Sequence, residues 1–366
     1  MPKKHKKNQE MKLYGGIDLH KGFYFYYIID ERERKVASGP VNTNEEAILD
    51  CFAPFQSLNL EVAVEIGNTT FWFCDVLERL DIKTYIVNTH ANAKVFHRKG
   101  KTDKKDAKGL AFDLLHKNLP IPIYRPKIKQ RQLRSLMAHR YQVVRDRVRI
   151  VNRTHAFLNR YGIKIKKSIL RTSVNLWSQL IDRYQEMDNF FIEELRVHYL
   201  SFKSKTEEIK HLEALMRSLI KSYHKREYER LLTIPGIGFI TAASIIATVG
   251  DWSRFKNGRQ LAAYYGLAPT VRESGGKKLR GDGPITKLGI PMLRGYLVQG
   301  SISTSRSRSR DAQPLKAWYD RLKKRKGWKK ARVALARKIC EIAFAVVKTE
   351  TNYDPLLVAK NSKPAE

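Results

Sequence analysis

The sequence predicts three parts: an α/β domain around a mixed sheet, a long helical spacer, and a mainly α-helical carboxy-terminal domain. Three observations predict it. Strand-favouring and helix-favouring runs alternate over residues 11–125, two heptad seams run through the middle of the chain, and glycine-punctuated, small-residue helices fill the remainder.

In the first part, Lys12 to Asp18 and the aromatic run Gly22 to Ile29 read as strands, and a third short run follows the polar turn at Asp30 to Arg34. A helix is expected from about Asn44, a buried strand over Leu60 to Glu65, a helix over Thr70 to Leu80 and a strand over Lys83 to Val87. The last helix opens at Thr102-Asp103 and runs to about His116. The order β-β-β-α-β-α-β-α is that of the RNase H-like fold, a mixed sheet with helices on its faces. Asp18 and Glu65 then end neighbouring strands, while Asp103 and Asp106, three apart at a helix start, share one face. Acids gathered in this way suit Mg²⁺ or Mn²⁺, which polarise a phosphate and orient a nucleophile. Each acid alone reads as a turn former or a cap; four from three elements read as a metal site. Lys101, Lys104, Lys105 and Lys108 beside them read either as holding a nucleic-acid backbone or as a solvated helix face. His20 and His97 are possible ligands, with the structural reading the stronger.

Pro120, Pro122 and Pro126 mark a boundary. Beyond it Met137, Tyr141, Val144, Val148, Val151, His155 and Leu158 form one seam; Ile192, Leu195, Tyr199, Phe202, Ile209, Met216, Ile220 and Tyr223 form another. They predict an antiparallel coiled-coil hairpin or an inter-subunit contact, with His155 in the core. The arginines of the first helix exceed what a solvated face requires, so Arg140, Arg147 and Arg153 are expected to touch nucleic acid.

Leu231 to Gly250 has the form of a helix-hairpin-helix, in which the Pro235-Gly-Ile-Gly238 turn offers backbone N–H groups near Gly236 and Gly238 to a phosphate. Ser274 follows, next to Gly275 and Gly276, where a phosphate can approach closely. Arg272, Lys277, Lys278, Arg280, Lys287 and Arg294 surround it in sequence and would neutralise a phosphorus transition state. A serine on such a turn is, by itself, turn chemistry. Ser301 to Arg310 reads as a phosphate-binding loop or part of a basic helix, Gln313 to Lys326 and Lys330 to Lys348 as amphipathic helices, and the end from Lys360 as disordered. The expected spans are a basic arm over 1–10, a nuclease-type domain over 11–125, the spacer over 126–225, the serine-bearing domain over 226–350 and a tail over 351–366.

Charge narrows the partners. The 366 residues hold 70 Lys and Arg against 36 Asp and Glu, a formal charge of +34 spread along the whole chain. That excess repels itself unless a polyanion neutralises it, so nucleic acid is the expected partner. No run approaches eighteen apolar residues, and no apolar segment follows the basic leader, which excludes a membrane span or secretory signal. The leader reads as a nucleic-acid arm in preference to a nuclear signal. Cys51, Cys74 and Cys340 form no C-x-x-C pair, as in a reduced, cytosolic protein without structural zinc.

Gly16-Ile-Asp18-x-x-Lys21, Glu65, and Lys101-Thr-Asp103-x-x-Asp106-Ala107 resemble the DEDD tetrad of insertion-sequence transposases of the "IS one-ten" family, which is related to Piv-type DNA invertases. Pro235-Gly-Ile-Gly238, Gly266-Leu-x-Pro269, Glu273-Ser-Gly275, Gly283-x-Ile-x-Lys287-x-Gly289 and Leu293-Arg294 resemble its carboxy-terminal domain. The similarity spans roughly 11–350. It implies a RuvC-like domain of the RNase H superfamily, a coiled-coil spacer, and a transposase domain whose serine joins covalently to DNA. By this resemblance Asp18, Glu65, Asp103 and Asp106 hold Mg²⁺ or Mn²⁺ and Ser274 is the nucleophile. A bridge RNA from the element's non-coding end would pair with donor and target DNA. Dimers would assemble into tetramers, one subunit's metal site working beside another's serine, in a bacterial or archaeal cytoplasm at the nucleoid. Glu65 is followed by Ile66-Gly67-Asn68, where the family commonly has Ala-Thr-Gly; the acid itself is kept. Two other readings fit the same residues: a hydrolytic, metal-dependent Holliday-junction-type nuclease with a structural Ser274, and a nucleic-acid-binding protein with a degenerate catalytic site.

Overall fold

The computed structural model describes residues 12–20, 22–88, 102–172, 174–270, 273–274, 277–278 and 284–360, and the chain divides into two units, 1–125 and 126–366. Side chains of 172, 273, 274, 277, 278 and 360 are not among those described.

The first unit contains β1 (Leu13–Leu19), β2 (Phe23–Asp30), β3 (Lys35–Asn42), α1 (Glu45–Phe52), β4 (Leu60–Glu65), α2 (Thr70–Glu78), β5 (Lys83–Val87) and α3 (Asp103–Leu115). This is the expected element order. The sheet order is β3-β2-β1-β4-β5, with β2 antiparallel to β1 and β3, and β4 parallel to β1 and β5. Period-two alternation splits the strands between two cores. Leu13, Ile17, Tyr24, Ile28, Val62 and Val64 bury themselves with Phe52, Phe73 and Leu77 of α1 and α2. On the other face Tyr27 and Ile29 meet Ala107 and Ala111 of α3, and Ala63 and Val87 meet Leu110 and Leu114. Asn44 caps α1, its side-chain oxygen accepting the Ala47 N–H at 2.8 Å.

Gly16 decides how α3 sits. A Cβ at this position would lie 2.0 Å from the Ala107 carbonyl oxygen and 2.5 Å from the Ala111 nitrogen. Only a residue without a side chain lets the helix backbone rest directly on β1.

The second unit opens with α4 (Ile128–Arg160), α5 (Lys167–Thr172), α6 (Val174–Arg183) and α7 (Asn189–Tyr223). Helices α4 and α7 run antiparallel, since His139 meets Glu208 and Phe157 meets Phe191. One seam differs from expectation. Val143, Ile150, Thr154 and Phe157 are buried, whereas Tyr141, Val144, Val148 and His155 are only half-covered, and His155 pairs with Asn159 at 3.2 Å. The reason is the elbow formed by α5 and α6, which drives Trp177 against Phe202 and gathers Phe157, Leu158, Phe191 and Leu195 around it.

The rest is α8 (Lys225–Leu232), α9 (Phe239–Val249), α10 (Gly258–Tyr264), the short strands β6 (Glu273–Ser274) and β7 (Lys277–Lys278), α11 (Pro291–Arg306), α12 (Gln313–Lys326), α13 (Trp328–Lys348) and α14 (Pro355–Lys360). From Thr241 onward α9 is buried on every side, which makes it the central helix. Leu133 and Met137 of α4 and Met216 and Ile220 of α7 share its core. Arg134 donates to the Ala247 and Thr248 carbonyls at 2.5 and 2.9 Å, and Gln130 adds a 3.1 Å bond to Ala247, satisfying the carbonyls that end α9. Among the described residues no helix is long and apolar enough to cross a membrane.

Candidate functional site

The parallel register of β1 and β4 pairs Ile17 with Val64, so the next residues, Asp18 and Glu65, end neighbouring strands. Thr70 holds the turn after Glu65. Its hydroxyl donates to the Glu65 carbonyl at 2.8 Å and accepts the Gly67 N–H at 2.7 Å. On the opposite side Thr102 caps α3, accepting the Lys105 N–H, which makes Asp103 the first residue of the helix and places Asp106 one turn on. Because Gly16 lets α3 lie against β1, these acids approach Asp18.

His20 joins them. Its Nε2 lies 3.4 Å from an Asp18 oxygen and 3.2 Å from an Asp103 oxygen, with its ring 5.0 Å from Phe23. One ligand atom from each of Asp18, His20 and Asp103 falls within 4.8 Å of the others. His20, a possible ligand by its sequence, thus stands between two of the predicted ligands. His97 lies outside the described residues.

Burial, with the negative charges of Glu65, Asp103 and Asp106 adding to it and His20 opposing, pushes the Asp18 carboxyl up to about 6. Asp18 is only 7% exposed. A buried acid beside three more carboxylates is costly to ionise without a counter-charge, and hard oxygen donors with one imidazole suit a divalent cation. The donor set therefore fits a divalent metal. Lys104 and Lys105 are exposed on the outer face of α3, free to meet a polyanion there.

In the second unit, Ser274 stands in a two-stranded hairpin. β6 pairs antiparallel with β7, Ser274 opposite Lys277, and the register leaves Gly275 and Gly276 to connect them. Farther down, the Thr270 N–H donates to the Pro284 carbonyl and the Thr286 N–H to the Ala268 carbonyl, each at 2.9 Å, and the Lys287 N–H reaches the Gly266 carbonyl. The hairpin's base turns through left-handed positions at Gly266, Lys287 and Gly289. Arg294 closes it, one guanidinium nitrogen donating to both the Tyr265 and Lys287 carbonyls at 3.2 Å. Lys287 is exposed; Arg272 and Arg280 lie outside the described residues.

The other predicted contacts divide by environment. Arg140 places two guanidinium nitrogens 2.7 Å from one Glu213 oxygen, tying α4 to α7. Arg147 is half-buried over Phe202, and burial, assisted by the Arg140 charge, lowers its pKa. Arg153 is exposed. In the 235–238 turn, Gly236 has φ 91° and packs against α11: a Cβ would meet Thr304 Oγ1 at 2.2 Å and the Gly300 carbonyl at 2.5 Å. Nothing lies within 4 Å of a Cβ placed on Gly238, so the start of α9 is open there. Sequence reasoning missed the positioning roles of Gly16 and Thr70. A glycine pair inside a strand was the available signal for the first.

Residues 15–163 match the transposase family of DEDD, IS110 type, and residues 228–316 match the transposase IS116/IS110/IS902 family; together the matches cover more than half of the chain. The chain is 28% identical over 342 residues to a probable family 20 transposase of Pseudomonas aeruginosa, covering 93% of this chain and 98% of that one. It is 25% identical over 287 residues to the transposase for insertion sequence element IS1111A of Coxiella burnetii, with 78% and 77% covered. A pilin gene-inverting protein of Moraxella bovis is 28% identical over 280 residues, 74% of each chain. Acid cluster, serine hairpin and both matched segments lead to one assignment: the chain belongs to the IS110 family of transposases and is a DNA-processing enzyme.

Proposed function

We propose that this protein cuts and exchanges DNA strands through a covalent serine intermediate, with a metal centre at Asp18, Glu65, Asp103 and Asp106 to which His20 is adjacent. The observation that carries this reading is the convergence of Asp18, His20 and Asp103 within 4.8 Å, inside the field of Glu65 and Asp106. When bound, Mg²⁺ or Mn²⁺ would supply positive charge for the phosphate and its leaving oxygen. Asp18 and Glu65 hold it from the sheet, Asp103 and Asp106 from the helix start.

Ser274 Oγ attacks the scissile phosphorus, forming the serine–phosphate bond as the phosphorus–sugar oxygen bond breaks. The energy of the phosphodiester is kept, so a sugar hydroxyl of the partner strand reverses the step without a high-energy cofactor. Arg272, Lys277, Lys278, Arg280 and Lys287, which flank Ser274 in the sequence, would supply positive charge to this chemistry. A bridge RNA pairing with donor and target DNA would choose the sequence, which leaves the protein to bind backbone and shape, as a charge of +34 supports. The RuvC-like nuclease fold, the helix-hairpin-helix at 231–250 and the spacer over 126–225 belong to this reading. So do assembly of dimers into tetramers and residence at the nucleoid of a cytoplasm.

The test is incubation of the purified chain with Mg²⁺, RNA from the flanking non-coding DNA, and labelled donor and target duplexes, followed by denaturing gels. A protein–DNA adduct that requires RNA and metal and vanishes in Ser274→Ala is expected. Cleaved ends without an adduct, unaffected by that substitution, would refute the serine step and leave a hydrolytic metal nuclease.

A further inference from the structure

Helices α12 and α13 form a hairpin whose two sides differ sharply. Leu315, Tyr319, Ala331, Leu335 and Ile339 anchor it in the core. Ten basic residues and no acidic one lie between Asp320 and Glu341 in the sequence; those from Arg321 to Lys330 are on the outside, and Arg332, Arg337 and Lys338 are half-buried. Every residue from Lys323 to Lys330 is exposed, and the turn is made by Gly327 at φ 78°, where an added Cβ would meet nothing within 4 Å.

At the start of α13, immediately after this turn, stands Trp328, 48% exposed. The Arg332 guanidinium lies 4.5 Å from its ring centroid and the Lys329 ammonium 5.4 Å. The Arg332 Nε is buried and has no hydrogen-bond partner. About half of this large aromatic stays in water among cations, and the residues that anchor the hairpin in the core are others. The ring offers a flat surface at the centre of a positive field.

We propose that the α12–α13 hairpin is a binding site for an unpaired strand of nucleic acid, Trp328 stacking a base while Lys323, Lys324, Arg325, Lys329 and Lys330 hold the flanking phosphates. The indole selects the unpaired form. In a duplex the faces of the bases are already stacked, and cations alone do not distinguish it from a single strand. The site shares no residue with the acid cluster or the serine hairpin, and needs neither to be catalytic.

The full-length chain is titrated against labelled, unstructured RNA of about 12 nucleotides, DNA of the same sequence, and the corresponding duplex, over a salt series. Trp328→Ala is expected to weaken single-strand binding about tenfold and leave duplex binding within about twofold, and Trp328→Phe to restore most of the loss. Replacing Lys324, Arg325 and Lys329 with serine should reduce the single-strand salt slope by about two. A Trp328 effect on RNA alone identifies RNA as the ligand, and an equal effect on DNA identifies any unpaired strand; both support the site. Unchanged single-strand affinity in Trp328→Ala, equal losses on duplex and single strand, or no rescue by phenylalanine with matching thermal melts would overturn it. A wild-type chain that bound no nucleic acid would instead refute the proposed function.

Discussion

The acid cluster and the serine hairpin are held in place by opposite means. In the first, the acids project from a sheet and a helix in direct contact, and the fold carries a buried Asp18 surrounded by like charge. In the second, Ser274 sits beyond a two-stranded ladder whose base is set by backbone turns and by one guanidinium. One region stores electrostatic cost where a cation would relieve it; the other stores position in conformations that favour glycine. Substitutions of the acids in the first should therefore separate stability from activity, while those of the residues that set backbone position, in either region, should lower both.

The largest expected effect is at Gly16. Its replacement by alanine sets a methyl group 2.0 Å from the Ala107 carbonyl oxygen, and neither backbone can yield without moving α3 off β1. We expect a loss of more than about 3 kcal/mol, at the upper end of overpacking effects, and no metal-dependent cleavage. Thermal melts of the variant measure it; an unchanged melting temperature would mean that α3 does not rest on β1.

How much of this was readable beforehand follows from the range of the interactions. The strand and helix order of the first unit was legible because each element carries its own local signal, β-favouring or buried apolar runs set off by polar turns and caps, and the acids were legible as strand-end and helix-start residues. His20 was legible only as a possible ligand, because Asp103 reaches it only through the packing of α3 on β1. The seam of α4 was misread in part, for a related reason: Met137, Val151 and Leu158 are buried as expected, while Tyr141, Val144, Val148 and His155 are half-covered. Tyr141, Val148 and His155 share a seven-residue spacing, but so do Val143, Ile150 and Phe157, and the choice is made by Trp177 and Phe202 from other helices. Arg134 and Arg140 looked available because the α9 carbonyls and Glu213 that receive them are distant in sequence.

Asp18→Asn should give the next largest effect, with opposite signs for the two properties. The folded carboxyl titrates at about 6, above its ordinary value of 3.8, so between these values the folded chain holds a proton that the unfolded chain has lost. In metal-free buffer, stability should fall as pH rises through that window, by at most about 3 kcal/mol. The asparagine variant should lack this fall and melt higher than wild type at pH 7, while losing strand cleavage. Adding Mg²⁺ or Mn²⁺ should raise the wild-type melting temperature and leave the variant's nearly unmoved. A variant no more stable than wild type at pH 7 would show that the cluster carries no stored repulsion.

The smallest change in stability, and the sharpest test of the comparison, is Arg294→Lys. If Arg294 serves as a cation facing phosphate, which its place in the sequence suggested, lysine keeps the charge and should retain most adduct formation. The hairpin geometry argues differently. The guanidinium meets the Tyr265 and Lys287 carbonyls on either side of the base, at 3.2 Å each, and a flexible ammonium does not reproduce that planar, preset reach. The expected cost is about 1 kcal/mol in stability, with a loss in the rate of adduct formation larger than that figure alone would produce. Alanine should then behave like lysine. Full activity in the lysine variant combined with inactivity in the alanine variant would return Arg294 to the role of charge, and would leave the left-handed turns at Gly266 and Gly289 as what holds the hairpin's base.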